Sequence, residues 1–280
     1  MTLARTVAVL VLALVLAAPA RAEVRLERPL VQGGLVVGTT TPGARVSLDS
    51  RPMRVSAEGC FLLGFGRNAA ARAKLEVISK DGRTETWPLA IARRDWQVQR
   101  IDGLPPRKVT PPPEDLERIA AERELIVAVR RGDSSEPFFE DGFAWPLVGT
   151  ITGIFGSQRI LNGQPRSPHA GVDIAAPTGT PVRAAAAGTV VLVHPGMLLT
   201  GKTVMIDHGH GLTSVYIHLD SITVSEGDRI DQGAIIGTVG ATGRATGPHL
   251  HWGVSLFDVA LDPELLVGPM PTAGQSGQRR

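Results

Sequence analysis

The sequence is poor in cysteine and tyrosine, with Cys60 and Tyr216 the sole examples among 280 residues. One thiol excludes an intrachain disulfide, so stability in an oxidising compartment must come from a buried core or a bound metal. Cys60 adjoins Phe61, Leu62 and Leu63 and reads as a buried apolar residue rather than a reactive thiol. Aromatics are also sparse (7 Phe, 4 Trp), against 32 Gly and 21 Pro. That balance favours short strands joined by many turns over a helical bundle. Charge of one sign is lacking too: 29 Lys+Arg face 27 Asp+Glu, and removing residues 1–22 deletes Arg5, Arg21 and no acid. The remaining balance of 27 against 27 gives no electrostatic case for a nucleic-acid partner. Beyond residue 18 no apolar run is long enough for a helix to cross a bilayer.

The one long apolar run, 7–18, follows Arg5 and is succeeded by Ala20-Arg21-Ala22. A basic start, a short apolar stretch and a small-x-small exit form a secretory signal peptide, expected over residues 1–22. No cysteine follows closely enough for a lipid anchor, so no membrane anchor is expected after cleavage. The periplasm is the expected compartment, with secretion beyond the cell left open.

Residues 23–100 read as a small all-β module. Strand-like runs at 35–37, 44–48, 60–65, 74–78 and 84–91 alternate with turn signals such as Thr41-Pro42-Gly43, Asp49-Ser50-Arg51-Pro52 and Asp81-Gly82. The spacing suggests a compact sandwich resembling bacterial immunoglobulin-like modules. Residues 101–145 follow as a Pro-rich linker and a helix. Pro105, Pro106 and Pro111 to Pro113 fix an extended path, and 114–131 reads as one helix with acids first and Arg130-Arg131 last. From 146 to 268 short β-branched runs alternate with glycine, as expected of an all-β catalytic domain. Residues 269–280, small and polar, read as a disordered tail.

All seven histidines fall in that third region. His169 and Asp173 form H-x-x-x-D, with Pro168 and Gly171 opposing a helix, so a loop entering a strand must bring them together. His249 and His251 form H-x-H, and residues two apart on a strand face the same way. His218 lies in an alternating run where Tyr216 and His218 are expected to share a face, with Val215, Ile217 and Leu219 opposite. Two imidazoles and a carboxylate are a natural ligand set for Zn²⁺. Three protein ligands leave a fourth position for water, which marks a catalytic rather than a structural zinc. His194, His208 and His210 occupy Pro/Gly-rich turns and are expected to face solvent.

Each motif alone is weak, but the set is specific. His169-Ala-Gly-Val-Asp173-Ile, Tyr216-Ile-His218-Leu219 and Gly247-Pro-His249-Leu-His251-Trp252 closely resemble the three signature segments of lysostaphin/LytM-type endopeptidases. The resemblance covers about 146–267 and includes Thr152-Gly153-Ile154-Phe155-Gly156. It also takes in the 226–240 segment, which looks like a biotinyl/lipoyl-type hairpin echoed by 181–193 and implies a duplicated β-hybrid fold. Carried over by motif position, the resemblance implies one zinc held by His169, Asp173 and His251. It places His218 and His249 beside the metal as unliganded catalytic residues, either of them the general base. The implied activity is zinc-dependent cleavage of peptidoglycan peptides; a non-catalytic activator of another wall hydrolase is the alternative, and a cell-wall regulator protein stays open as a partner. Some family members carry a tyrosine shortly before the first histidine; here Arg166 and Ser167 stand there instead.

Overall fold

In the computed structural model, which describes residues 23–27, 29–103 and 112–271, the short apolar runs become strands. The first seven are β1 (Arg25–Glu27), β2 (Leu35–Thr39), β3 (Arg45–Leu48), β4 (Arg51–Met53), β5 (Cys60–Gly64), β6 (Arg72–Ile78) and β7 (Thr84–Ala90). They form two antiparallel sheets, ordered β1-β2-β5 and β4-β3-β6-β7. Pro52 is tolerated because β4 is an edge strand. Cys60 through Leu63 of β5 are all buried, without the alternation of a strand that faces water on one side. The reason is a second partner: a Cβ added at Gly64 would lie 3.1 Å from Leu256, in the C-terminal part of the chain. Burial and the nearby Glu140 push the Cys60 thiol up to about 11, which leaves it inert at neutral pH.

After β8 (Val98–Ile101), the helix α1 spans Pro113–Arg130, with Glu114 and Asp115 in its first turn and Arg130 in its last. Those charges complement the helix dipole, and Pro opens it where a missing N–H costs nothing. The remaining strands are β9 (Thr150–Gly153), β10 (Gln158–Leu161), β11 (Gln164–Pro165), β12 (Val172–Ala175), β13 (Pro181–Arg183), β14 (Gly188–Met197), β15 (Gly201–Asp207), β16 (Leu212–Ile222), β17 (Arg229–Ile230), β18 (Ile235–Val239), β19 (His249–Leu256) and β20 (Val259–Leu261). Ten of them make one sheet along the path β17-β14-β15-β16-β19-β12-β9, with β13, β18 and β20 at its margins. β8 pairs in parallel with β10, which ties the segment after the first two sheets to the C-terminal part. The short helix α2 (Glu264–Val267) closes the described chain. The chain is thus mostly β-sheet with few helices.

One face of the large sheet carries Ile174, Tyr216, Leu250 and Trp252, all fully buried. These belong to one apolar cluster that continues through Phe61, Leu62 and Leu63, so both parts of the chain share a core. A buried ion pair supports the contact: Arg94 Nη1 lies 2.7 Å from Asp262, whose side chain is 2% exposed. On the other face, Val215 and Ile217 pack under Ile126 and Val129 of α1. Among the described residues no helix is long and apolar enough to cross a membrane. The expected signal peptide (1–22), most of the linker prolines and most of the C-terminal tail lie outside the described residues.

A candidate metal centre on the open face of the large sheet

Register builds the centre. β12 pairs antiparallel with β19, setting Asp173 directly opposite His251 and Ala175 opposite His249. On the other side of β12, Asp173 faces Gly153 of β9, while beyond β19 His251 faces Ile217 of β16. Gly153, Asp173, His251 and Ile217 therefore form one row across four strands, on the face opposite Trp252. The glycines of this row leave room for their neighbours' side chains. A Cβ at Gly153 would stand 2.3 Å from Asp173 Oδ2, and one at Gly171 would stand 2.3 Å from the Trp252 carbonyl and 2.9 Å from His251 Nε2.

His169 enters from the loop before β12. Its Nε2 lies 3.0 Å from Asp173 Oδ1 and 2.9 Å from His251 Nδ1, and His251 Nδ1 lies 2.8 Å from the same Oδ1. Three ligand atoms thus form a small triangle. Hydrogen bonds alone satisfy such a triangle poorly, because one N–H cannot point along two of its sides. The His169 Nδ1–H donates to the Ile154 carbonyl at 3.0 Å, which leaves the Nε2 lone pair facing the triangle. Tetrahedral bonds of about 2.0–2.1 Å to nitrogen and oxygen require donor atoms roughly 3.3 Å apart. The observed spacing is a few tenths of an ångström tighter, an opening these half-buried side chains can make, so the residues fit a zinc-sized cation.

Two further histidines flank the triangle. His249 Nδ1 donates to the Gly247 carbonyl and His218 Nδ1 to the Thr242 carbonyl, each at 2.8 Å. In its neutral form each ring therefore offers Nε2 as the acceptor. Their centroids are 4.7 Å apart, and His249 Nε2 stands 3.9 Å from Asp173 Oδ1. All five residues singled out from the sequence converge here.

The face expected for His218 is corrected by the structure. Tyr216 pairs with Trp252 on the core side, so strict alternation would send His218 into the core with it. Instead β16 carries a bulge: Leu219 pairs with Lys202 and Tyr216 with Val204, so that Ile217 and His218 together oppose the single Thr203. His218 sits in that bulge at φ +64°, a left-handed conformation rare for a residue with a side chain, and this turns its ring to His249.

Burial is the largest influence on Asp173 and opposes its charge, but the adjoining His169 and His251 imidazoles outweigh it and hold the carboxyl far below its ordinary range. Burial likewise opposes charge on His169, yet Asp173 prevails and raises its pKa. For His251 burial prevails over Asp173 and the value falls. His218 is pushed down to about 4, chiefly by burial, against the Thr242 carbonyl.

The turn histidines contradict the sequence expectation. His208 and His210 are 0% and 2% exposed, because Phe143 and Phe139 cover them edge-on at 5.2 Å and 5.1 Å. His208 lies between the Ala187 carbonyl (2.7 Å) and Ser214 Oγ (2.8 Å), and Ser214 reaches the Tyr216 hydroxyl at 3.2 Å. This polar chain lies on the core side of the sheet, and burial lowers His208 to about 4. His194 lies inside β14 rather than in a turn, its Nδ1 accepting from the Gly196 N–H.

Comparison with known proteins decides the family. The sequence profile of Peptidase family M23 matches residues 167–263. A crystal structure described as a peptidase M23 from Pseudomonas aeruginosa is 32% identical, with 86% of this chain and 96% of that chain aligned at a TM-score of 0.67. The chain belongs to peptidase family M23. Other M23-region relatives are more distant in length. DD-carboxypeptidase/endopeptidase Mpg of Neisseria meningitidis is 40% identical over 39% of this chain and 25% of its own. Peptidoglycan DD-endopeptidase ShyA of Vibrio cholerae is 44% identical over 31% and 20%. Cell division protein DipM of Caulobacter vibrioides is 34% identical over 58% and 25%. This chain spans about a quarter or less of the length of these curated relatives.

Proposed function

We propose that this M23 chain is an exported zinc endopeptidase that hydrolyses peptide bonds in peptidoglycan, with one zinc held by His169 Nε2, Asp173 Oδ1 and His251 Nδ1. The observation that carries the reading is the triangle of ligand atoms, all within 4.8 Å of one another. The names of the relatives Mpg and ShyA support peptidoglycan as substrate. When bound, the metal supplies Lewis-acid polarisation of the scissile carbonyl and a lowered pKa for water at the open position.

The chain's own residues do the rest. Backbone carbonyls of Ile154, Thr242 and Gly247 fix the tautomers of His169, His218 and His249. One of His218 and His249, both unliganded, accepts a proton at Nε2 from the attacking water and returns it to the leaving amine. Ala175 opposite His249 and the bare Gly153 beside Asp173 keep the row of ligands free of competing side chains. The retained donor set favours an enzyme over a non-catalytic activator of another hydrolase. Residues 1–22 serve as the export signal, with the periplasm as destination. The two N-terminal sheets form an immunoglobulin-like accessory module, 23–100, joined by the 101–145 segment to the catalytic domain, 146–268.

Isolated cell walls incubated with the purified protein should release peptide fragments, identified by mass spectrometry. Chelation should stop release and Zn²⁺ should restore it. Intact walls under metal-replete conditions would overturn the proposal.

A further inference from the structure

His218 is held in its bulge by partners outside β16. Its backbone N–H donates to the Thr200 carbonyl at 2.8 Å, in the β14–β15 turn. Its Nδ1–H donates to the Thr242 carbonyl, also at 2.8 Å. Thr242 lies in the loop from β18 to β19, closed at its base where the His249 N–H donates to the Gly240 carbonyl at 3.1 Å. The same loop orients His249 through the Gly247 carbonyl. A left-handed backbone at a residue with a side chain persists only where its surroundings over-determine it. Whatever pins the bulge therefore also aims the His218 ring.

The Thr242 hydroxyl is placed to do so. Its Oγ1 accepts from the Lys202 N–H at 2.9 Å and donates to the Leu219 carbonyl at 2.8 Å. Lys202 and Leu219 are the pair that closes the bulge on one side. One hydroxyl thus bridges β15 and β16 next to His218, while the carbonyl of the same residue orients the ring. The packing around it is tight. A Cβ at Gly201 would stand 2.2 Å from Thr242 Oγ1, and one at Gly243 would stand 2.3 Å from the Gly201 nitrogen. Both glycines lie at positive φ, +66° and +70°, which lets the turn and the loop approach this closely. The Arg244 N–H adds a bond to the Leu199 carbonyl at 2.9 Å. A hydroxyl can accept and donate at once; a methyl in its place leaves a backbone N–H and a carbonyl unpaired.

We propose that Thr242 is a positioning residue whose hydroxyl clips the β15–β16 bulge and so aims His218 at the reacting centre. The catalytic consequence rests on the endopeptidase reading; the clip itself does not.

The test follows the full chain through two readouts. Long-range proton–nitrogen NMR of isotope-labelled protein reports the tautomer of each imidazole, with His218 assigned against His218→Ala. The unsubstituted chain should show His218 as the Nδ1–H tautomer alone, and Thr242→Val should give a mixture with Nε2–H. In wall digestion Thr242→Val should slow fragment release at least about tenfold at unchanged zinc content, a loss within what a proton-transferring group contributes. Thr242→Ser, which keeps the hydroxyl, should restore both readouts. In a His218→Ala background Thr242→Val should bring no further loss, whereas a general weakening of the fold would bring the same loss in both backgrounds. Thr242→Ala, which removes the hydroxyl and adds no second methyl, takes the place of the valine variant if that chain fails to fold. A pure Nδ1–H tautomer in Thr242→Val, an undiminished rate, or an equal loss in both backgrounds overturns the assignment. Walls left intact by the unsubstituted chain refute the endopeptidase reading alone, and the tautomer still decides the clip.

Discussion

Gly153→Ala should cripple metal binding while leaving the fold intact. The three atoms nearest to a Cβ at this position all belong to Asp173, the closest being Oδ2 at 2.3 Å, against 3.4 Å where ordinary contact begins. The carboxylate must therefore retreat by about 1 Å, far outside the roughly 0.2 Å tolerance of a metal-ligand bond. A misplacement of that size costs on the order of a hundredfold, or about 2.7 kcal/mol of affinity. The strand itself should gain slightly, since alanine loses less backbone entropy than glycine by about 0.5–1 kcal/mol. Zinc affinity measured by competition with a chromophoric chelator should fall about a hundredfold, while the metal-free unfolding midpoint stays or rises. Repeating Gly153→Ala in an Asp173→Ala background should produce no further loss. Unchanged zinc affinity in the single variant, or an equal loss in both backgrounds, would refute the reasoning.

Two other residues test the roles of the histidines. His251→Ala should lose zinc and wall cleavage together, whereas His249→Ala should retain most zinc and lose turnover; metal loss in the second would make His249 a ligand. His208 should make the fold acid-sensitive. Its folded pKa of about 4 lies below the ordinary 6.5, so its stabilisation is complete above pH 6.5 and is lost as pH falls towards 4. The loss between pH 7 and pH 5 is about 2 kcal/mol, and urea titrations of His208→Gln should show a pH dependence shallower by that amount. Arg94→Met leaves the nearly buried Asp262 without its partner and should lower stability by about 3 kcal/mol, read from the same urea midpoints.

What the sequence revealed follows the range of the interactions involved. The spacing of His249 and His251 is local, and β19 places both rings on one face as alternation requires. The helix over Pro113–Arg130 was also legible, because its charges and prolines act within a turn or two. His218 was misread as facing with Tyr216 because its orientation depends on a bulge against β15, a partner far away in sequence. The burial of His208 and His210 depends on Phe143 and Phe139, which no Asp-His-Gly-His-Gly turn could announce. The carbonyls of Ile154, Thr242 and Gly247 escape any sequence reading, since every residue has one and only tertiary structure aims it. Gly153 belongs to a family-like segment, but the room it leaves for Asp173 depends on the pairing of β9 with β12, which no local motif encodes.

The most direct measurement is X-ray absorption at the zinc edge on the purified chain and on Asp173→Ala. The account expects one zinc per chain in a shell of nitrogen and oxygen at about 2.0–2.1 Å, with the substitution stripping the metal or changing that shell. A chain that retains no zinc, or a shell identical with and without the Asp173 carboxylate, would contradict it.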